Sequence, residues 1–202
     1  ITATYLEIVP DITTPTRTGY TFGGYYLNTG GEGTRYYKNN GTAHDSKTWD
    51  KTANTTLYAK WTANKYTVKF NGNGSTSGSM ADQSFTYDVA QNLTANAFSR
   101  TGYTFAGWNT KKDGTGTTIT QNSTITKDMK VYAQWQSNSY TLTYDDNEGS
   151  GCSGESITNA YGSTWGTLCN KSELAGHTFK GWYLDSECTQ PIEYIDVTNY
   201  SD

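Results

Sequence analysis

The sequence predicts a mostly β protein, α+β at most, built from small modules repeated end to end. Short runs such as "YTVKF" at 66–70 and "YTLTY" at 140–144 alternate aromatic or branched residues with polar ones, the pattern of a strand with one apolar face. Composition agrees: 17 Tyr and 21 Gly against only 3 Pro in 202 residues suit strands joined by glycine turns. The third observation is recurrence at a fixed spacing, which identifies a repeat architecture before any finer reading.

One stretch is written three times, as "TGYTFGGYYL" at 18–27, "TGYTFAGWNT" at 101–110 and "AGHTFKGWYL" at 175–184. Gly19, Gly102 and Gly176 open it, and Gly24, Gly107 and Gly181 follow five residues later in every copy. "LYAKW" at 57–61 returns as "VYAQW" at 131–135, and "YTVKF" returns as "YTLTY", both after 74 residues, which is also the distance from Gly102 to Gly176. Three modules follow from this registration. Residues 1–63 are a first repeat that lacks its opening strand and carries an enlarged loop at 26–50. Residues 64–137 are a complete second repeat, and 138–202 a third that lacks its closing strand.

The complete unit is justified strand by strand. Its opening strand places Tyr66, Val68 and Phe70 on one face, as Tyr140, Leu142 and Tyr144 are placed in the third repeat. After a Gly/Ser/Asn loop comes a second strand, "SFTYD". The stretch "DVAQNLTANAF" at 88–98 is expected to hold a short helix begun by an Asp cap. In "GYTFAGW", Tyr103 and Phe105 share a face, and Gly107 just before Trp108 signals a bulge or a close backbone approach that re-aims the indole. The closing strand turns Val131, Ala133 and Trp135 one way. Modules of this size have little room for a core, so one large ring per strand fills it efficiently. The recurring rings therefore read as packing residues.

Charge announces no partner. A net charge of -4 with 17% charged residues is not the basic footprint of a nucleic-acid binder. No apolar run approaches the ~20 residues of a membrane-spanning helix, and Ile1 does not open a leader pattern. The chain reads as a mature piece of a longer tandem array. Mean hydropathy is -0.74, yet 29 aromatic residues, 17 Tyr, 6 Trp and 6 Phe, oppose disorder.

With "YTVKFNGNGSTSGSM", "NLTANAFSRTGYTFAGWNTKKDGTGT" and "VYAQW" in view, the chain resembles the Listeria-Bacteroides repeat family, which includes the B-repeat of internalin surface proteins. The resemblance covers nearly the whole chain. It implies β-grasp-like (ubiquitin/SUMO-like) modules strung along secreted or cell-wall-anchored proteins of Gram-positive and related bacteria, serving as stalk, spacer or adhesive segment. It implies no catalytic residue and no cofactor. The positions that carry over are structural: Gly19, Tyr20, Phe22, Gly24 and Trp61; Gly102, Tyr103, Phe105, Gly107, Trp108 and Trp135; Gly176, Phe179, Gly181 and Trp182. Tyr25 stands where the other copies have Trp, and His177 where they have Tyr.

A few other residues have side chains capable of chemistry. Cys152, Cys169 and Cys188 all lie in the third repeat, spaced by 17 and 19 residues. That spacing gives no zinc pattern, and three cysteines in an extracellular setting suit one disulfide with a free thiol, or with a partner beyond Asp202; the sequence leaves the pairing open. His44 and His177 have no triad or metal partners nearby in sequence, "DDNEGSG" at 145–151 reads as a hairpin loop without calcium-ligand spacing, and "KKDGTGT" at 111–117 as a turn. Gly19 to Trp61 spans 42 residues where Gly102 to Trp135 spans 33. Within that enlarged loop, Tyr26, Tyr36, Tyr37 and Trp49 are candidate ligand contacts, for a host or cell-surface protein or a glycan. The expectation is a non-catalytic extracellular segment, its first partners the neighbouring repeats. The alternatives are an accessory region of a glycan-active enzyme and a filament subunit.

Overall fold

The computed structural model describes residues 1–192, in ten strands and two 3-10 turns, and its regular structure is mostly β in several small sheets. Contacts divide the chain into two compact units. One comprises residues 1–69, 81–94 and 120–130; the other comprises 70–80, 95–119 and the described residues from Val131 onward.

In the first unit, β1 (Tyr20–Asn28) is flanked by β2 (Glu32–Tyr37) and β3 (Tyr58–Ala63) in an antiparallel sheet ordered β2-β1-β3. β4 (Lys65–Asn71) pairs antiparallel with β5 (Gln83–Thr86). In the second unit, β6 (Tyr103–Asn109) pairs antiparallel with both β7 (Thr118–Ile119) and β8 (Met129–Ser137), while β9 (Ser139–Thr143) pairs with β10 (Ser156–Ala160). Alternation works as the sequence predicts: Val68, Val131 and Ala133 are fully buried, whereas the intervening Thr67 and Lys69 are not.

The repeated aromatic strand carries the expected bulge. Pairing of β1 with β3 slips between Phe22 and Gly24, and pairing of β6 with β8 slips between Phe105 and Gly107. In a regular strand, residues three apart face opposite ways; one extra residue reverses that. The rings of Phe105 and Trp108 consequently meet at 5.1 Å, and those of Phe22 and Tyr25 at 5.2 Å. Glycine is needed at the slip because φ is +116° at Gly24 and +128° at Gly107.

Two expectations are corrected. Residues 88–98 form no helix. Asp88 takes φ +62° instead of the extended conformation of a cap, and side-chain amides bind the segment along β5 instead. Gln91 accepts from the Thr86 N–H and donates to the Ser84 carbonyl; Gln83 donates to the Asn92 carbonyl and accepts from the Thr94 N–H. Asn and Thr side chains that compete for the backbone favour this over a helix. The third aromatic stretch, 178–182, likewise forms no strand. A strand needs a neighbour for its backbone groups, and no counterpart of β3 or β8 lies among the described residues of that repeat. Its local geometry survives: Gly181 has φ +132°, and the rings of Phe179 and Trp182 lie 5.3 Å apart.

Candidate functional site

The arrangement built twice in this chain lies where one repeat passes into the next. Arg17 to Tyr20 forms a tight turn, closed by the Tyr20 N–H on the Arg17 carbonyl at 3.0 Å, with Gly19 at φ +75°. That left-handed third position is one that glycine fills without strain. Arg100 to Tyr103 repeats the turn, with the same bond at 3.0 Å and Gly102 at φ +74°. The guanidinium carbons of Arg17 and Arg100 sit 3.7 and 3.9 Å from the ring centroids of Tyr20 and Tyr103, a cation–π pairing that fixes each ring.

The following repeat docks on this turn. The Tyr87 ring covers Gly19 so closely that a Cβ there would lie 2.3 Å from it; the Tyr161 ring covers Gly102 with 2.1 Å. Each incoming ring also meets the turn tyrosine edge to face, Tyr87 on Tyr20 at 5.6 Å and Tyr161 on Tyr103 at 5.7 Å.

Between the repeats stands a single residue, because β3 ends at Ala63 and β4 begins at Lys65, and β8 ends at Ser137 and β9 begins at Ser139. Asn64 donates its N–H to the Gly19 carbonyl at 2.9 Å and accepts the Tyr87 N–H at 2.8 Å; Thr21 donates its hydroxyl to the Asn64 side-chain oxygen at 2.6 Å. Asn138 repeats all three bonds with Gly102, Tyr161 and Thr104, at 2.9, 2.7 and 2.7 Å. One linker residue is thus bonded to both repeats, and no freely rotating backbone is left between them. The joints differ at the rim. In the first, the Tyr20 hydroxyl donates to Asp88 at 3.1 Å; desolvation, and then this bond, raise the phenol's pKa. In the second, the Ser137 hydroxyl donates to the Tyr161 carbonyl at 3.1 Å.

Sequence reasoning named Gly19, Tyr20, Gly102 and Tyr103 but missed Asn64, Asn138, Tyr87, Tyr161, Thr21 and Thr104. The signal was present, since Asn64 and Asn138, and Tyr87 and Tyr161, are again 74 residues apart. The third repeat forms the same turn, with the His177 N–H on the Leu174 carbonyl at 3.0 Å and Gly176 at φ +77°, and among the described residues nothing covers Gly176.

The remaining predicted positions divide clearly. Phe22 and Trp108 are buried, and Trp61 and Trp135 are half-buried against Phe22 and Phe105. Phe179 is 46% exposed, since no tryptophan of a closing strand reaches it among the described residues. Of the loop aromatics, Tyr36 and Tyr37 lie in the first repeat's core with Val9, and Trp49 packs on Tyr36 at 5.5 Å. The Tyr36 hydroxyl donates to Asp50, which Lys47 and Lys51 also bind. Burial and that bond push the phenol well above its ordinary range, and the same bond, with Lys47, holds Asp50 well below the carboxylate range. Tyr26 is half-buried between Arg35 and Lys60.

Cys152 and Cys169 form a disulfide, and Cys188 is free and exposed. Beside the bridge, Asp146 accepts the Ser172 hydroxyl and the Cys152 and Ser153 N–H groups, which hold its carboxyl below the usual range. This acid organises the loop at 145–153, the role a backbone-binding carboxylate can fill without a metal.

The Listeria-Bacteroides repeat domain matches residues 2–60, 66–134 and 140–202. A predicted Gly-rich membrane protein of Evansella cellulosilytica is 34% identical over 194 residues, covering 93% of this chain and 22% of its own length. A second predicted membrane protein of that organism is 30% identical over 96% of this chain and 27% of its own length. Internalin H of Listeria monocytogenes is 32% identical over 65% of this chain and 22% of its own length. The chain thus spans about a quarter of the length of these curated relatives. No solved structure matches it significantly. No helix among the described residues is long and apolar enough to cross a membrane. With three copies of the motif in register and three matched segments, this chain belongs to the Listeria-Bacteroides repeat family.

Proposed function

We propose that this segment is a non-catalytic spacer of a bacterial surface protein, and that its working part is the joint between repeats. The observation that carries the reading is the duplication of the three bonds made by the linker asparagine, at Asn64 and at Asn138. A spacer must transmit the orientation of one module to the next. A one-residue linker hydrogen-bonded on both sides, beside a ring seated on glycine, does that through groups every added repeat can supply. The names of the relatives, membrane proteins and an internalin, support a place at the cell envelope. The β-grasp-like description of each module belongs to the same reading.

The test is a single-molecule distance measurement between dyes on the first and second repeats. A narrow distribution that broadens in an Asn64→Gly, Tyr87→Ala double variant supports the spacer. An equally broad distribution in the parent chain would sink it.

A further inference from the structure

The outer face of the first repeat's sheet gathers cations. Tyr26 points away from the core that its neighbour Tyr25 enters, and Arg35, opposite it in register, shares that side. Arg35 lies across Gly24, where a Cβ would stand 2.9 Å from its Nε, and it donates through Nε and Nη2 to the Tyr37 and Gly23 carbonyls at 3.0 and 2.8 Å. Lys60 turns over two more glycines, since a Cβ on Gly23 or Gly31 would fall 3.3 or 2.4 Å from its Cδ. Both charges stand against one ring, the Arg35 Cζ 5.6 Å and the Lys60 Nζ 5.7 Å from the Tyr26 centroid. Among the described residues neither has a carboxylate partner; Asp45 pairs with Lys38, and Asp50 with Lys47 and Lys51.

The second repeat closes the same face on itself. Asn109 and Gln134 hold the positions of Tyr26 and Lys60. Asn109, 3% exposed, donates to the Gly114 and Gly116 carbonyls and accepts the Lys111 N–H, while Gln134 donates to the Lys111 carbonyl. In the first repeat the enlarged loop supplies β2 instead, and the face presents a guanidinium, an ammonium and a phenol, a set that suits a negatively charged ligand. Charge along the chain is distributed to match. Residues 1–63 hold six Lys and Arg against five Asp and Glu, whereas 138–202 hold two against ten, so an anion is drawn to the first repeat and repelled from the third. The backbone groups of β1 are shared with β2 and β3, so this face offers a peptide no ladder. A sugar acid matches both halves of what is there, with a carboxylate for the two cations and a C–H face for the Tyr26 ring and the Lys60 stem.

We propose that Tyr26, Arg35 and Lys60 form a binding site for a carboxylate-bearing polysaccharide, a polymer of uronic acids. Its carboxylates take the Lys60 ammonium and the Arg35 Nη1, which bonds neither carbonyl, and a sugar ring packs against Tyr26. The two backbone bonds of Arg35 and the glycine bed of Lys60 hold both cations in place before the ligand arrives, so little side-chain freedom is lost on binding. The inference goes beyond the spacer reading and uses neither joint.

The experiment titrates the 202-residue chain at low ionic strength with a galacturonic acid tetramer, followed by calorimetry. Saturable one-to-one binding is expected, and none of a neutral galactose tetramer. Lys60→Gln installs the residue of the second repeat and should weaken binding about tenfold or more, whereas Lys60→Arg should keep it within about threefold. Lys112→Gln, which removes an exposed cation of the second repeat, should leave binding unchanged. The neutral tetramer tests the need for charge without altering the protein, so that result does not depend on a variant's folding. The proposal is overturned if the chain binds no uronate at millimolar tetramer, if the neutral tetramer binds equally, if Lys60→Gln binds like the parent, or if Lys112→Gln weakens binding as much. It is also overturned if a glutamate tetramer or inorganic phosphate binds as tightly as the uronate, which would assign the site to acidic peptides or to phosphate.

Discussion

The Tyr161 ring occupies the space in which a side chain on Gly102 would stand: a Cβ there would fall 2.1 Å from its Cγ. Gly102 is also at φ +74°, so two independent constraints select glycine. Gly102→Val is expected to cost about 1–2 kcal/mol in backbone strain and, beyond that, to displace Tyr161. Tyr161→Ala removes the ring that covers Gly102 and meets Tyr103, together with its contact to Tyr140 in its own repeat, and leaves the Gly102 backbone unstrained. Calorimetry on Tyr161→Ala should show the second and third repeats melting more independently than in the parent; an unchanged, single cooperative transition would contradict the coupling.

The bulge glycines should differ in sensitivity. Gly107 has φ +128° with open space around it, so Gly107→Ala meets backbone strain alone, about 1–3 kcal/mol. Gly24→Ala adds a clash, because its Cβ would lie 2.2 Å from the Tyr37 carbonyl oxygen. Urea unfolding of the two variants should rank Gly24→Ala as the more damaging; the reverse order would count against the geometry of the first repeat.

Reducing the Cys152–Cys169 bridge frees a loop of 17 residues, for which loop entropy predicts a loss of about 3 kcal/mol. The loss should appear in the third repeat, leaving the exchange protection of β6 and β8 unaltered. A thiol reagent on the native chain should label one equivalent, at Cys188; three equivalents without reductant would mean the bridge does not form.

Acid and alkali should act on the Tyr36–Asp50 pair from opposite sides. Asp50 has a lowered pKa when folded, so its stabilisation is present above its unfolded value of about 3.9 and fades as pH falls below that. Tyr36 has a raised pKa, so its stabilisation is present below about pH 10 and fades as pH rises beyond it. Asp50→Asn should flatten the acid limb of first-repeat stability, read from the near-ultraviolet signal of Tyr36 and Trp49. An acid limb identical to the parent's would assign it to other carboxylates.

Much of this protein was legible in its amino acids because period-2 alternation and exact recurrence are local properties. They gave the strands, the bulge at Gly24 and Gly107, and the aromatic cores. The segment at 88–98 was misread, since local capping rules cannot anticipate that Gln83 and Gln91 bind it to β5. Tyr36 and Tyr37 were candidate surface contacts because loop membership suggests exposure; packing against Val9 buries them instead.

The sequence alone determined that one glycine-hinged aromatic unit is used three times, because side-chain alternation and glycine's backbone freedom are fixed by residue identity. Only the tertiary structure decided that Asn64 and Asn138, unremarkable polar residues in a linker, hold two repeats at once. Their effect depends on the turn glycine before them and the tyrosine after them, which lie far apart along the chain and meet only when the strands have folded.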